Sequence, residues 1–136
     1  MHTGELQWFV DATDYPTQSM TNYTLPSPLV VTYSNDNSSD RAWQVYNNVL
    51  SSLGWQGDAG VVTGWVQLDL GLGNGINPTS CTVTATSPPG DAATRSPKDF
   101  TFEGSETGSW AGEEVVFYTA TGETSWGPSE ARNYVF

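Results

Sequence analysis

The sequence predicts an all-β fold, an antiparallel β-sandwich with one short helix. Three observations lead there. Glycine and proline, 14 and 8 in 136 residues, are spread along the whole chain. The runs between them are short and rich in Val, Thr, Phe, Tyr and Trp, which fit a pleated, half-buried surface. Several of these runs alternate apolar and polar side chains with period two. A chain of this length makes one domain, and it buries roughly two-thirds of its unfolded surface without needing disulfides.

Taken in order, residues 5–10 are the first candidate strand, with Leu6, Trp8 and Val10 on one side. Residues 1–14 form a leader segment or an extra strand ahead of Pro16, and residues 15–136 the sandwich proper. Residues 29–33 are an apolar strand. Residues 65–70 place Val66, Leu68 and Leu70 on one face and Trp65, Gln67 and Asp69 on the other. Residues 81–85 alternate Cys81, Val83 and Ala85 against threonine. Phe100 and Phe102 share a face within 99–103, and 114–120 and 133–136 complete the set. One segment changes period. Ala42, Val45, Tyr46, Val49, Leu50 and Leu53 fall on one face of an α-helix. Ser38, Ser39 or Asp40 caps its start and Gly54 ends it, so a short helix is expected over one end of the sandwich.

Charge and scarcity exclude several functions. Asp and Glu number 15 against 4 Lys and Arg, for a net charge of -11. Arg41, Arg95, Lys98 and Arg132 form no cluster in the sequence, which argues against nucleic acid and anionic membranes as partners. His2 is the only histidine and Cys81 the only cysteine. A Ser-His-Asp or Cys-His site would have to recruit His2, and a Cys/His zinc site lacks ligands. Cys81 reads as a small buried hydrophobe. The first residues lack the basic start and apolar stretch of a signal peptide.

Two motifs resemble catalytic or metal sites. Leu68-Asp69-Leu70-Gly71-Leu72-Gly73-Asn74-Gly75 resembles the glycine-rich first motif of S-adenosylmethionine-dependent methyltransferases. That motif needs a helix directly after the turn and a parallel sheet around it, and the sequence offers neither. The run Asn35-Asp36-Asn37-Ser38-Ser39-Asp40 suggests calcium, but Arg41 and Asn47 stand where an EF-hand needs Gly and Glu. It reads as a polar loop capping the helix. Glu113 and Glu114, like Asp11 and Asp14, read as solvated loop carboxylates. Trp65, Phe100, Phe102, Trp110 and Phe117 lie in or beside strands and are expected in the core. Trp55 and Trp126 sit in glycine-flanked loops, where a Trp either stacks on a sugar ring or plugs the sandwich end. For Trp126 the plug is favoured.

Five segments, in order, carry a family resemblance. Gly64-Trp65-Val66-Gln67-Leu68-Asp69-Leu70-Gly71 resembles the W-[IV]-Q-[VIL]-D-L-G strand of discoidin, or coagulation factor 5/8 type C, domains. Ala42-Trp43-Gln44-Val45-Tyr46-Asn47-Asn48 is similar to that family's A-x-x-A-F-D-G segment. Arg95-Ser96-Pro97-Lys98-Asp99-Phe100-Thr101-Phe102-Glu103-Gly104-Ser105 resembles its R-x-P-K-x-[FW]-x-[LF]-x-G-S strand, with Trp110 following where the family has N-D-G-x-x-W. Trp126 and Arg132-Asn133-Tyr134-Val135-Phe136 resemble its late W…R-x-F-x-F strand. Residues 15–33 are similar to the entry of phage and bacterial members.

The resemblance implies a galactose-binding-like jelly roll and a non-catalytic module that binds glycans, or less often lipid headgroups or proteins. Ligands of such modules sit in loops at one end, here 34–41, 54–60 and 87–95. The expected site residues are Asn35, Asp36, Asp91 and Arg95 for hydrogen bonding and Trp55 for stacking; for Arg95 a structural salt bridge is an equal expectation. The implied setting is a phage virion component, such as a tail fibre, baseplate or capsid decoration, binding host-surface carbohydrate, other virion proteins or copies of itself. The alternatives are a purely structural, cementing virion protein, or the carbohydrate-binding domain of a larger secreted or cell-surface enzyme. Two departures stand out. Asn47-Asn48 replaces the family's Asp-Gly, so amide oxygens without charge stand near the family's structural calcium, and no cofactor is expected. The family's last closing strand has no counterpart after Phe136, and residues 5–10, from this chain or a neighbour, are expected in its place. Acidity favours a neutral glycan or a basic protein surface over sialylated or phosphorylated ligands.

Overall fold

The computed structural model describes residues 2–3, 5–10, 13–37, 39–49, 54–110 and 112–136. The described chain is mostly strand: β1 (His2–Thr3), β2 (Glu5–Val10), β3 (Thr13–Tyr15), β4 (Val30–Tyr33), β5 (Trp55–Gln56), β6 (Val66–Asp69), β7 (Ser80–Thr84), β8 (Phe100–Gly104), β9 (Val115–Ala120) and β10 (Ala131–Val135). A 3-10 helix spans Ala42–Tyr46, and one α-helix, α1, spans Pro89–Arg95. Every strand pair is antiparallel, as the alternating patterns required. The largest sheet runs β10-β7-β2-β3; β1 pairs with β5, β4 with β6 and β8 with β9. Neither helix is long and apolar enough to cross a membrane.

The N-terminal segment is an integral strand of its own chain. β2 lies inside the four-stranded sheet, with Leu6 opposite Val83 on one side and Trp8 opposite Tyr15 on the other. β1, just before it, pairs instead with β5, placing Thr3 opposite Trp55. Two buried clusters form the interior. The first gathers Cys81, Val83, Ala85, Ala92, Phe102, Ala120, Trp126 and Tyr134. The second gathers Met20, Val31, Ala42, Val45, Tyr46 and Trp55. Leu6 packs against both.

Around the first cluster, strand alternation stacks aromatic rings. Phe100 and Tyr134 meet edge to face at 5.3 Å, and Phe117 stacks on Phe136 at 5.5 Å. Such pairs add stabilisation beyond the area they bury. Trp126 is a plug. It is buried, its indole N–H donates to Pro97 O at 3.1 Å, and the Arg132 guanidinium lies 4.0 Å over its ring. Arg132 is held there by Glu123 at 2.6 Å and Glu130 at 2.7 Å.

Three sequence expectations need correction. The α-helix expected from Ala42 is a single 3-10 turn. Gln44 and Asn47 donate to carbonyls three residues back. The Tyr46 carbonyl, which a continuing helix would need, accepts instead from Met20 N–H at 2.9 Å. Asn48 then takes a left-handed φ of 54°, which ends the turn. The cap is Arg41 rather than Ser39 or Asp40. Ser38, Leu50, Leu53 and Asp11 lie outside the described residues. Second, part of the expected loop 87–95 is helix α1. Pro89 opens it, and Asp91 and Arg95 suit its dipole at the two ends. Third, Trp65 is not in the core: it is 53% exposed.

Two predictions follow from the position of β2. Deleting residues 1–12 opens the β7 edge and removes Leu6; the truncated chain is expected to melt at least 10 °C lower or to self-associate, read by calorimetry and light scattering. Leu6→Ala, which only thins the contact between the clusters, is expected to cost about 1–2 kcal/mol in urea unfolding.

Candidate functional site

The loop 34–41 is organised by its own side chains. Asn37 Oδ1 accepts from the backbone N–H groups of Ser39 (2.7 Å) and Asp40 (2.8 Å). Asp36 accepts from Ala42 N–H at 3.2 Å, satisfying one free donor at the start of the 3-10 turn. The same carboxylate takes a hydrogen bond from the Tyr23 hydroxyl. Tyr23 stacks on Tyr33 with ring centres 5.1 Å apart. Burial first, then the bond to Asp36, holds the Tyr23 phenol well above its ordinary pKa, so it stays a donor at physiological pH. Arg41 sits against the same hydroxyl, which raises the guanidinium pKa. The loop is polar and bonded to itself, and it meets the 3-10 turn through Asp36 rather than through Ser39 or Asp40. Among the described residues no group of three His, Cys, Asp or Glu could hold a metal ion.

Trp55 ties this loop to the core. Its side chain is only 3% exposed, and its indole N–H donates to Asn35 O at 2.7 Å. The stacking role expected of Trp55 is therefore corrected: a buried ring offers no face to a ligand. It is a support for Asn35. The Asn35 side chain accepts from Asp58 N–H at 3.3 Å and donates to Ser34 Oγ at 3.1 Å, joining 34–41 to 54–60. Gly57 leaves room for this arrangement, since a Cβ there would stand 2.5 Å from Asn35 Oδ1 and push that side chain aside.

The third segment joins through Gln56. With its amide oriented to suit both neighbours, Gln56 donates to Asp40 Oδ2 at 3.1 Å and accepts from Arg95 Nη1 at 3.3 Å. Arg95 also pairs with Asp91 at 3.2 Å, one helical turn away. Gln56 thus links Asp91 and Arg95 to Asp40 of the loop that carries Asn35 and Asp36, and the salt bridge expected of Arg95 is present. The pair is partly exposed, so its own contribution to stability is at most about 1 kcal/mol.

The exposed aromatic of this surface is Trp65. Its backbone is joined to Ser34 on both sides: Ser34 N–H donates to Trp65 O (3.0 Å), and Trp65 N–H to Ser34 Oγ (3.0 Å). Trp65 shares a strand face with Gln67 and Asp69, and that polar company was the sequence signal that it faces outward. Helix α1 gave no such signal, because Ala92 is its only buried residue.

The other motifs are structural. After the glycine-rich turn the chain reaches β7 with no helix between. Cys81 is fully buried. Glu113 is clasped by its own loop: one oxygen accepts from the Ser105 hydroxyl, from both hydroxyl and backbone N–H of Thr107, and from Ser109. These bonds, Ser105 first, lower its pKa to about 2. Two clefts of about 240 and 220 Å³ lie around Pro16 and include none of the surface residues above. Both are smaller than usual small-molecule pockets. No protein-family model matches the chain, and no curated protein or solved structure matches it.

Two outcomes are expected. Trp55→Phe keeps the ring but loses the bond to Asn35; it should cost about 1 kcal/mol and broaden the backbone NMR signals of 34–37. For Glu113, a folded pKa below the unfolded value means stability that is complete above the ordinary carboxylate pKa and is lost as pH falls toward 2. Wild type should therefore exceed Glu113→Gln in thermal stability near pH 7, and the gap should close progressively between about pH 5 and 2.

Proposed function

We propose that this chain is a non-catalytic binding module for a neutral glycan. The observation that carries the reading is the convergence of three sequence-distant segments on one polar surface beside an exposed Trp65, with Trp55 and Gln56 bracing it from behind. Hydroxyl-rich ligands suit this chemistry. Amide, carboxylate and guanidinium groups supply hydrogen bonds in both directions, while an indole face covers the apolar side of a sugar ring. The surface is open rather than a pocket, which suits a chain of sugars more than an enclosed small molecule. Its charge argues for neutral ligands: Asp36, Asp40, Asp58 and Asp91 outnumber Arg41 and Arg95, and Arg95 is already occupied by Asp91. Sialylated or phosphorylated glycans meet a surface that repels them.

The resemblance to discoidin-type domains supports a galactose-binding-like jelly roll as the finer form of this antiparallel fold, with β2 in place of the family's closing strand. Its likeness to phage and bacterial members supports a place in the virion, on a tail fibre, baseplate or capsid surface. Genes for phage structural proteins on either side of this one are the expected context.

A glycan array tests the central reading. Binding to one or more neutral glycans is expected, falling at least tenfold in Asn35→Ala and Arg95→Ala while thermal stability changes little in Arg95→Ala. No glycan bound, together with a defined oligomer in solution, would instead assign the chain a purely structural role.

A further inference from the structure

The outer face of the β4–β6 pair continues directly from this surface. Strand register places Thr32 opposite Gln67 and Val30 opposite Asp69, and the Ser34–Trp65 hydrogen bonds extend the ladder by one step. The opposite face is occupied: Val31, Tyr33, Val66 and Leu68 pack on the second core cluster. Ser34, Thr32, Trp65 and Asp69 are therefore exposed. Gln67 is half-buried because a loop stands beside it, with Gly108 so close that a Cβ there would lie 4.0 Å from Gln67 Nε2. That loop is the one fastened by Glu113, so the wall it forms is fixed in place.

We infer that this strand face is an extended subsite, and that the ligand is a linear neutral oligosaccharide running along β6 from Trp65 past Gln67 toward Asp69. The inference rests on the glycan-binding reading above and adds where the chain of sugars lies. Alternate residues on a strand stand about 7 Å apart, so Trp65 to Asp69 spans about 14 Å, more than one sugar ring. The row offers an indole for stacking, then an amide and a carboxylate, with Thr32 and Ser34 hydroxyls alongside. It carries no Lys or Arg, and Asp69 is its only charge, which disfavours an anionic occupant, while its amide, carboxylate and hydroxyls suit a ligand rich in hydroxyls. A protein partner fits less well, because interface centres are apolar and depleted in charge, whereas Trp65 and the half-buried Val30 are the apolar groups of an otherwise polar face.

The test is calorimetry of the full chain with named probes: gluco-, galacto- and manno-configured linear oligosaccharides of one to six units. For at least one series, affinity is expected to rise tenfold or more between one unit and four. Trp65→Ala should lose at least tenfold on the four-unit sugar. Gln67→Ala should lose several-fold there and almost nothing on the single unit. Circular dichroism melts of both variants should match wild type, since neither side chain is in the core. A single sugar binding as tightly as four units, or full-strength binding by Trp65→Ala, would overturn this inference while leaving the glycan reading standing. Binding by no member of any series would overturn both.

Discussion

The structure depends on one constraint: the short N-terminal segment must pair with two different partners in succession. β1 lies against β5, and after a single intervening residue β2 lies between β7 and β3. In that span Leu6 reaches both buried clusters. Without β2 the four-stranded sheet loses one of its two interior strands, leaving the largely buried β7 with an open edge. Without β1, β5 loses the strand that fixes Trp55 and Gln56. The same residues therefore hold the interior together and brace the candidate surface.

From that brace the surface follows by short steps. Trp55 is buried, so its indole N–H has a fixed position and takes the carbonyl of Asn35. Asn35 in turn orders the start of one loop and the Asp58 turn of another. Gln56, next along β5, reaches Asp40 on one side and Arg95 on the other. The hydrogen-bonding groups of this surface are held by bonds within the chain, which leaves them less conformational freedom to lose on binding any ligand. Tyr23 adds to this by keeping its proton and so holding Asp36 from below.

How much of this was legible in the sequence depended on periodicity. β4, β6, β7, β8, β9 and β10 announce themselves through alternation and aromatic content, and their observed bounds differ from the expected ones by one or two residues. The four polar residues expected to bind ligand lie in segments that the resemblance marked, but Asp91 and Arg95 stand on helix α1 rather than in a loop. The two tryptophans exchanged burial, and for a physical reason. A glycine-flanked Trp looks exposed, but Trp55 lies on β5, paired with β1, and its ring packs into the second buried cluster. Trp65 was expected in the core as a strand aromatic, yet it alternates with Gln67 and Asp69, and the strand's two-residue period settles its direction. Helix α1 and the 3-10 turn were misread because local patterning is a poor guide to very short helices. One has a single buried position, and the other loses its next carbonyl to Met20, a tertiary contact that no local pattern records.

Native-state hydrogen exchange tests the central claim most directly. If residues 5–9 are the interior strand on which both clusters depend, their ladder amides should exchange only through global unfolding, at the same opening free energy as those of Ser80–Thr84. Free exchange of residues 5–9 while Ser80–Thr84 stays protected would mean that the two clusters stand without β2, and the account would be wrong at its foundation.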